Sequence, residues 1–143
     1  MIKLENEVIL TLEQFAKKHG FEICQKAIDH QRGPDLVLKN TKGEKIVIEA
    51  KGNSGNPSDS RTSKEKFSLS DMKGHFGKEF FKLLSYIENK KYDFVFLAYP
   101  NTLASKELLE PIKAHLKYLG FSIILVGETE QETEFWGMDS IFI

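Results

Sequence analysis

Two long segments of the chain carry apolar residues at every third or fourth position, the spacing of a helix with one buried face. The first covers residues 4–19 and is followed by Gly20, a typical residue just past a helix end. The second follows Ser68-Leu69-Ser70-Asp71, a capping-box sequence, and runs to about Asn89. The pattern therefore predicts a helix in each segment.

Short aliphatic runs predict the strands. Residues 36–38 and 46–48 flank a polar segment with Gly43, which predicts a hairpin whose loop is Thr41, Lys42 and Gly43. Residues 94–98 and 121–126 are nearly all apolar, and residues 105–119 between them have helical spacing up to Gly120. This order predicts a strand, a helix and a strand, with the two strands parallel and buried on both faces.

The remaining segments predict less regular structure. Residues 21–28 favour a short strand, residues 31–34 a turn, and residues 134–143 an edge strand. Residues 52–66 are rich in Gly, Ser, Asn and Pro and predict a long exposed loop, which in a compact domain is often functional. Pro111 either kinks the third helix or separates a turn at 105–110 from a new helix.

Composition limits the class of protein. With 143 residues, 41% of them hydrophobic, the chain has enough apolar bulk for one core, and we expect a single domain over residues 1–143. A formal charge of −1 argues against binding nucleic acid by overall charge alone. There is one cysteine, no signal-peptide pattern at the start and no apolar run near the roughly 18 residues of a membrane span, so we expect a cytoplasmic protein without membrane association.

The predicted hairpin brings two acids together. A three-residue loop places Asn40 opposite Glu44 and therefore Asp35 opposite Glu49. Because side chains alternate along a strand, Lys51 lies on the same face as these two acids. Directly opposed Cβ atoms lie roughly 4.5–5.5 Å apart in an antiparallel pair, close enough for both carboxylates to share a divalent cation.

All-oxygen ligation with room for a phosphate is typical of Mg²⁺. Such an ion would polarise a scissile phosphate and lower the pKa of a bound water, while Lys51 would orient that water or stabilise the developing charge. This combination predicts hydrolysis of a phosphodiester. Taken singly, however, Asp35 is also a typical turn residue after Pro34, and Glu49 and Lys51 are also typical of a solvated ribbon face.

These residues resemble a known family. Gly33-Pro34-Asp35, followed after 13 intervening residues by Glu49-Ala50-Lys51, is similar to the signature of the PD-(D/E)xK nuclease superfamily. The resemblance implies an α/β, restriction-endonuclease-like single domain with a mixed central sheet flanked by helices. It also implies Mg²⁺, with Mn²⁺ able to substitute, bound by Asp35, Glu49 and the Ala50 carbonyl, and a catalytic role for Lys51.

The same resemblance extends to other positions. Many members of the superfamily add a glutamate on the first helix, for which we expect Glu7, with Glu5 as the alternative. Ser60-Arg61 and His75 are similar to a loop and a helix of small uncharacterised prokaryotic members.

Positive charge is concentrated after the motif. Residues 51–91 carry nine basic and five acidic residues, a net of +4, whereas the remainder has 11 basic and 16 acidic residues, a net of −5. This distribution suits a polyanionic substrate beside the predicted site. The nucleic-acid-binding candidates are Arg61, Lys64, Lys66, Lys73 and His75.

Three functional hypotheses follow. The first is a Mg²⁺-dependent endonuclease that cleaves DNA, with a homodimer or a protein partner supplying specificity. The second is a catalytically inactive nuclease-like module that binds nucleic acid or a protein. The third is an unrelated α/β domain whose paired acids are coincidental.

Overall fold

The computed structural model describes residues 2, 4–28, 32–53 and 67–142. Its elements are α1 (Glu5–Lys18), β1 (Glu22–Lys26), β2 (Leu36–Lys39), β3 (Lys45–Ala50), α2 (Leu69–Asn89), β4 (Phe94–Pro100), α3 (Leu103–Lys113), α4 (Leu116–Leu119), β5 (Ser122–Val126) and β6 (Glu134–Trp136).

The strands form one mixed sheet in the order of the sequence, β1-β2-β3-β4-β5-β6. The β1–β2, β2–β3 and β5–β6 pairs are antiparallel, whereas β3–β4 and β4–β5 are parallel. The predicted parallel pairing of β4 and β5 is thus confirmed, and β6 confirms an edge strand near the chain end. The described residues form a single mixed α/β domain whose sheet is flanked by helices.

Helices cover both faces of the sheet. One face packs against α1, and its core includes Leu12, Leu38 and Ile48. The other packs against α2 and α3, and its core includes Val47, Leu83 and Leu109. Since alternate residues of β2 and β3 contribute to opposite cores, the hairpin face that carries the paired acids lies under α2 and is not a solvated ribbon face.

The hairpin has the predicted register. Leu36 pairs with Ile48 and Lys39 with Lys45, and the Asn40 amide donates to the Glu44 carbonyl at 3.1 Å. Gly43 adopts φ +84°, so the three-residue loop ends on a residue in the left-handed region, as expected.

The helix predictions hold in part. The Ser68 hydroxyl accepts the Asp71 amide at 3.1 Å, and the Asp71 carboxylate accepts the Ser68 amide at 3.0 Å, so the capping box that starts α2 is confirmed. The third predicted helix ends before Gly120 as expected, because α4 ends at Leu119, but its predicted start at residue 105 was wrong. The Thr102 hydroxyl caps the helix through the Ser105 amide, so α3 starts at Leu103 and continues through Pro111 before the helix is interrupted near His115.

The structure also shortens the first predicted strand to β1, Glu22–Lys26. In the described part of the chain, no helix combines the length and apolar character needed to cross a membrane.

Candidate active site

Asp35 and Glu49 meet where the β2–β3 hairpin opens. Gly33 adopts φ +103° and, with Pro34, turns the chain into β2, while the Asp35 carbonyl accepts the Ala27 amide at 2.9 Å. The Asp35 carboxylate reaches across to β3 and accepts the Ala50 amide at 2.8 Å, and it lies within hydrogen-bonding reach of the Glu49 carboxyl group. The predicted pairing of these two acids is therefore present.

Glu49 is fully buried, with 0% exposure. Tyr86 of α2 donates a short hydrogen bond from its hydroxyl to Glu49 Oε1. Glu49 Oε2 is also buried and has no hydrogen-bond donor among the described residues. A buried carboxylate oxygen without a donor is costly, which makes it a candidate ligand atom for a cation.

Burial favours the protonated form of both acids in the absence of a cation. Burial raises the pKa of Asp35 to about 8, and contact with Glu49 adds to that shift. Burial likewise raises the pKa of Glu49, although hydrogen bonds from Asp35 and Tyr86 oppose the shift. Two carboxyl groups in contact require a shared proton or a cation between them.

Lys51 lies on the same side and is paired with α2. Its Nζ is 3.3 Å from Oε1 of Glu79, a residue only 2% exposed, and Lys82 Nζ is 3.5 Å from the same oxygen. Burial lowers the pKa of Lys51, but the carboxylates of Glu5 and Glu79 outweigh that effect and the pKa is raised. Lys51 is thus protonated and fixed in position by its ion pair with Glu79.

Of the two acids expected on the first helix, the structure brings Glu5 near Lys51 and Asp35 and uses Glu7 to cap the start of the helix. Glu7 accepts the Leu4 amide at 2.9 Å, because the third residue of a helix is well placed to cap its start. Glu5 instead interacts electrostatically with Lys51, Asp35 and Glu79, and burial raises its pKa to about 7. The alternative acid of the sequence prediction is the one at the site.

The oxygen atoms present suit a hard divalent cation. In the described ranges, no three His, Cys, Asp or Glu side chains are grouped so as to hold a metal ion. The side-chain donors are therefore the two carboxylates Asp35 and Glu49. The Ala50 carbonyl lies on the same strand edge as the Ala50 amide, which bonds Asp35, because both groups of an extended residue face one edge. Two carboxylates and a carbonyl fit Mg²⁺, which keeps several waters.

The predicted nucleic-acid contacts are only partly described. Lys73 is exposed on the second turn of α2, and His75 is half-buried with its ring 4.6 Å from that of Phe67, centroid to centroid. Burial lowers the pKa of His75, as does the nearby Lys51 ammonium. Arg61, Lys64 and Lys66 lie outside the described residues, as do Ser60 and most of the predicted loop at 52–66.

Sequence reasoning missed Glu79, Tyr86 and Tyr99. Met72, Glu79 and Tyr86 are seven residues apart and share one stripe of α2. The signal in the sequence for Glu79 was an acidic residue at helical spacing from the apolar residues of the buried face. The Tyr99 hydroxyl of β4 is buried without a hydrogen-bond partner in the described chain and interacts electrostatically with Glu79 and Glu5, but nothing in its apolar run marked it.

Comparisons of the chain with protein-family models, with curated proteins and with solved structures found no match. What the site does is therefore inferred from its own geometry.

Proposed function

We propose that the protein is a divalent-metal-dependent nuclease that hydrolyses phosphodiester bonds of DNA, with a restriction-endonuclease-like arrangement of its sheet and helices. One observation carries the proposal. The carboxyl groups of Asp35 and Glu49 lie in contact across the open end of the hairpin, and Glu49 Oε2 is buried without a donor.

Each group at the site has a separate role in the proposed reaction. Asp35, Glu49 and the Ala50 carbonyl would hold Mg²⁺ or Mn²⁺. When bound, such a cation supplies Lewis-acid polarisation of the phosphate and acidifies water. The Ala50 amide and the Tyr86 hydroxyl orient the two carboxylates by donating to them. Lys51 places a positive charge beside the position where negative charge develops on the phosphate.

The positive charge of residues 51–91 supports a nucleic acid as the substrate. The segment from Lys51 to Lys91 is the basic part of an otherwise acidic chain. Its exposed Lys73 lies on α2, the helix that also carries Tyr86 and Glu79. A polyanion approaching the carboxylates would meet this helix.

A nicking assay on supercoiled plasmid tests the proposal. Wild type, Glu49→Gln and Lys51→Met are compared with Mn²⁺, Mg²⁺ or EDTA, with Lys42→Ala at the exposed hairpin tip as a control. We expect metal-dependent nicking in wild type and Lys42→Ala, and a loss of at least about 100-fold in the other two. Both variants should fold. Glu49→Gln keeps the shape of the buried side chain, and in Lys51→Met the Glu79 carboxylate still has its ion pair with Lys82.

Equal nicking by all four folded proteins would contradict the assignment. Absence of nicking in every protein, with metal-dependent stabilisation also absent, would favour the inactive binding module.

A further inference from the structure

Glu79 is a buried charge on an apolar helix face. It occupies the stripe of α2 that includes Met72, and it is 2% exposed. Burying a carboxylate is costly unless it is paired and hydrogen-bonded. Oε1 faces the Lys51 and Lys82 ammonium groups, and Oε2 has no partner among the described residues. The buried Glu79 carboxylate therefore depends on its ion pairs with Lys51 and Lys82.

Lys51 has other carboxylates within reach. Asp35 and Glu5 both interact electrostatically with its ammonium group. A lysine side chain has four rotatable bonds, so an unrestrained Lys51 can pair with whichever carboxylate is least compensated. Asp35 and Glu49 are such a pair, because Glu49 Oε2 has no donor. An ammonium group on these two acids would occupy the place of a divalent cation.

We propose that Glu79 is a positioning residue that holds the Lys51 ammonium on α2 and away from Asp35 and Glu49, so that the two acids remain open to a divalent cation. This inference rests on the proposed function, since it takes Asp35 and Glu49 as the cation ligands.

A double-mutant cycle tests the inference without measuring cleavage. Mn²⁺ affinity is measured by titration calorimetry on wild type, Glu79→Gln, Lys51→Met and the Glu79→Gln, Lys51→Met double variant. With Lys51 present, we expect Glu79→Gln to weaken Mn²⁺ binding about 10-fold or more, as loss of an outer partner commonly does. In the Lys51→Met background the same change should cost less than about 2-fold, because the competing ammonium is absent.

Two further variants separate position from charge and folding. Glu79→Asp keeps the charge but withdraws the carboxylate by one methylene, and it should also weaken Mn²⁺ binding when Lys51 is present. Glu88→Gln removes an exposed acid from the same helix and should leave the affinity unchanged. Each variant is checked by circular dichroism and thermal melting, and Glu79→Asp carries the test if Glu79→Gln does not fold.

The outcomes are distinguishable. If Glu79→Gln lowers the Mn²⁺ affinity equally with Lys51 and with Lys51→Met, the inference is overturned, because Glu79 would then act through its own charge. An unchanged Mn²⁺ affinity in Glu79→Gln and Glu79→Asp also overturns it. Failure of wild type to bind Mn²⁺, or binding that survives Asp35→Asn with Glu49→Gln, overturns the proposed function and the inference with it. Binding that needs the two acids but ignores Glu79 overturns this inference alone.

Discussion

The Tyr86 hydroxyl donates a hydrogen bond to the buried Glu49 carboxylate. Because Glu49 is fully buried, no solvent can replace that donor if it is removed. The ring of Tyr86 also packs edge-on against Tyr92, with 5.5 Å between centroids, so a phenylalanine would keep its position. The hydroxyl and the packing are therefore separable by one substitution.

Tyr86→Phe should lower the free energy of unfolding by about 1–3 kcal/mol, the usual cost of leaving a buried polar group unsatisfied. Urea denaturation in a chelating buffer measures the change. The control is Tyr118→Phe, since Tyr118 is 77% exposed and solvent can hydrate its hydroxyl. Changes of equal size in the two variants would contradict the role given to Tyr86.

At the scale of elements, the β2–β3 hairpin decides where the two acids fall. The Asn40 side chain accepts the amides of Lys42 and Glu44 at 3.1 and 2.9 Å, and Gly43 completes the turn at φ +84°. A loop one residue shorter or longer would move the acids out of register, since a one-residue slip turns every side chain to the other face. The turn chemistry is thus part of the site.

Glycine substitutions in the hairpin and in α2 should have opposite effects on stability. Gly43→Ala places a side chain at positive φ and should destabilise the protein by about 1 kcal/mol. Gly74→Ala, at an exposed helical position with no described atom within 4 Å of the added Cβ, should stabilise it by about 0.5–1 kcal/mol. Thermal melts of both variants measure the two shifts, and shifts of the same sign would contradict this account.

Lys73 of α2 is an exposed candidate for contact with DNA. Lys73 is exposed near the start of the helix and faces solvent, so Lys73→Ala should leave the fold intact. It should weaken DNA binding and reduce the slope of log K against log salt by about 0.9, the value for one phosphate contact. Fluorescence anisotropy over a salt series measures the slope, with Lys42→Ala as the matched control. An identical slope in both variants would remove Lys73 from the DNA contacts.

Over the whole molecule, the buried acids couple stability to pH. The pKa of Glu5 is raised to about 7 and that of Asp35 to about 8, from ordinary values of 4.5 and 3.8. Between those limits the folded protein binds protons that the unfolded chain releases, so the contribution of these groups to stability falls as pH rises. The stability that these two acids contribute is fully present below their ordinary pKa values and is lost as the pH rises through their pKa values in the folded protein.

In EDTA, the melting temperature should therefore decrease as pH is raised from about 5 to about 8. Glu5→Gln and Asp35→Asn should each make this decrease smaller, whereas Glu88→Gln should not. Saturating Mn²⁺ at the upper pH should raise the melting temperature of wild type, because a ligand that binds only the folded state stabilises it. A pH profile that is the same in wild type and Asp35→Asn would contradict the raised pKa.

The amino-acid sequence alone predicted the features that depend on local periodicity and turn chemistry. The hairpin register and the Ser68 capping box follow from residues close together in the chain, and the parallel pairing of β4 and β5 follows from the order strand, helix and strand. All three are confirmed. The pairing of Asp35 with Glu49 belongs to this group, since it follows from the loop length and from the alternation of side chains along a strand.

Only the tertiary structure decided which groups from other elements complete the site. The choice of Glu5 over Glu7 depends on how α1 docks, and the roles of Glu79 and Tyr86 depend on how α2 lies across the acid-bearing face of the hairpin. Residues 28 or more positions apart, such as Lys51 and Glu79, carry no mutual spacing signal, and their contact is set by the packing of α1 and α2 on opposite faces of the sheet. Burial of Glu49, and with it the raised pKa of both acids, follows from that packing as well.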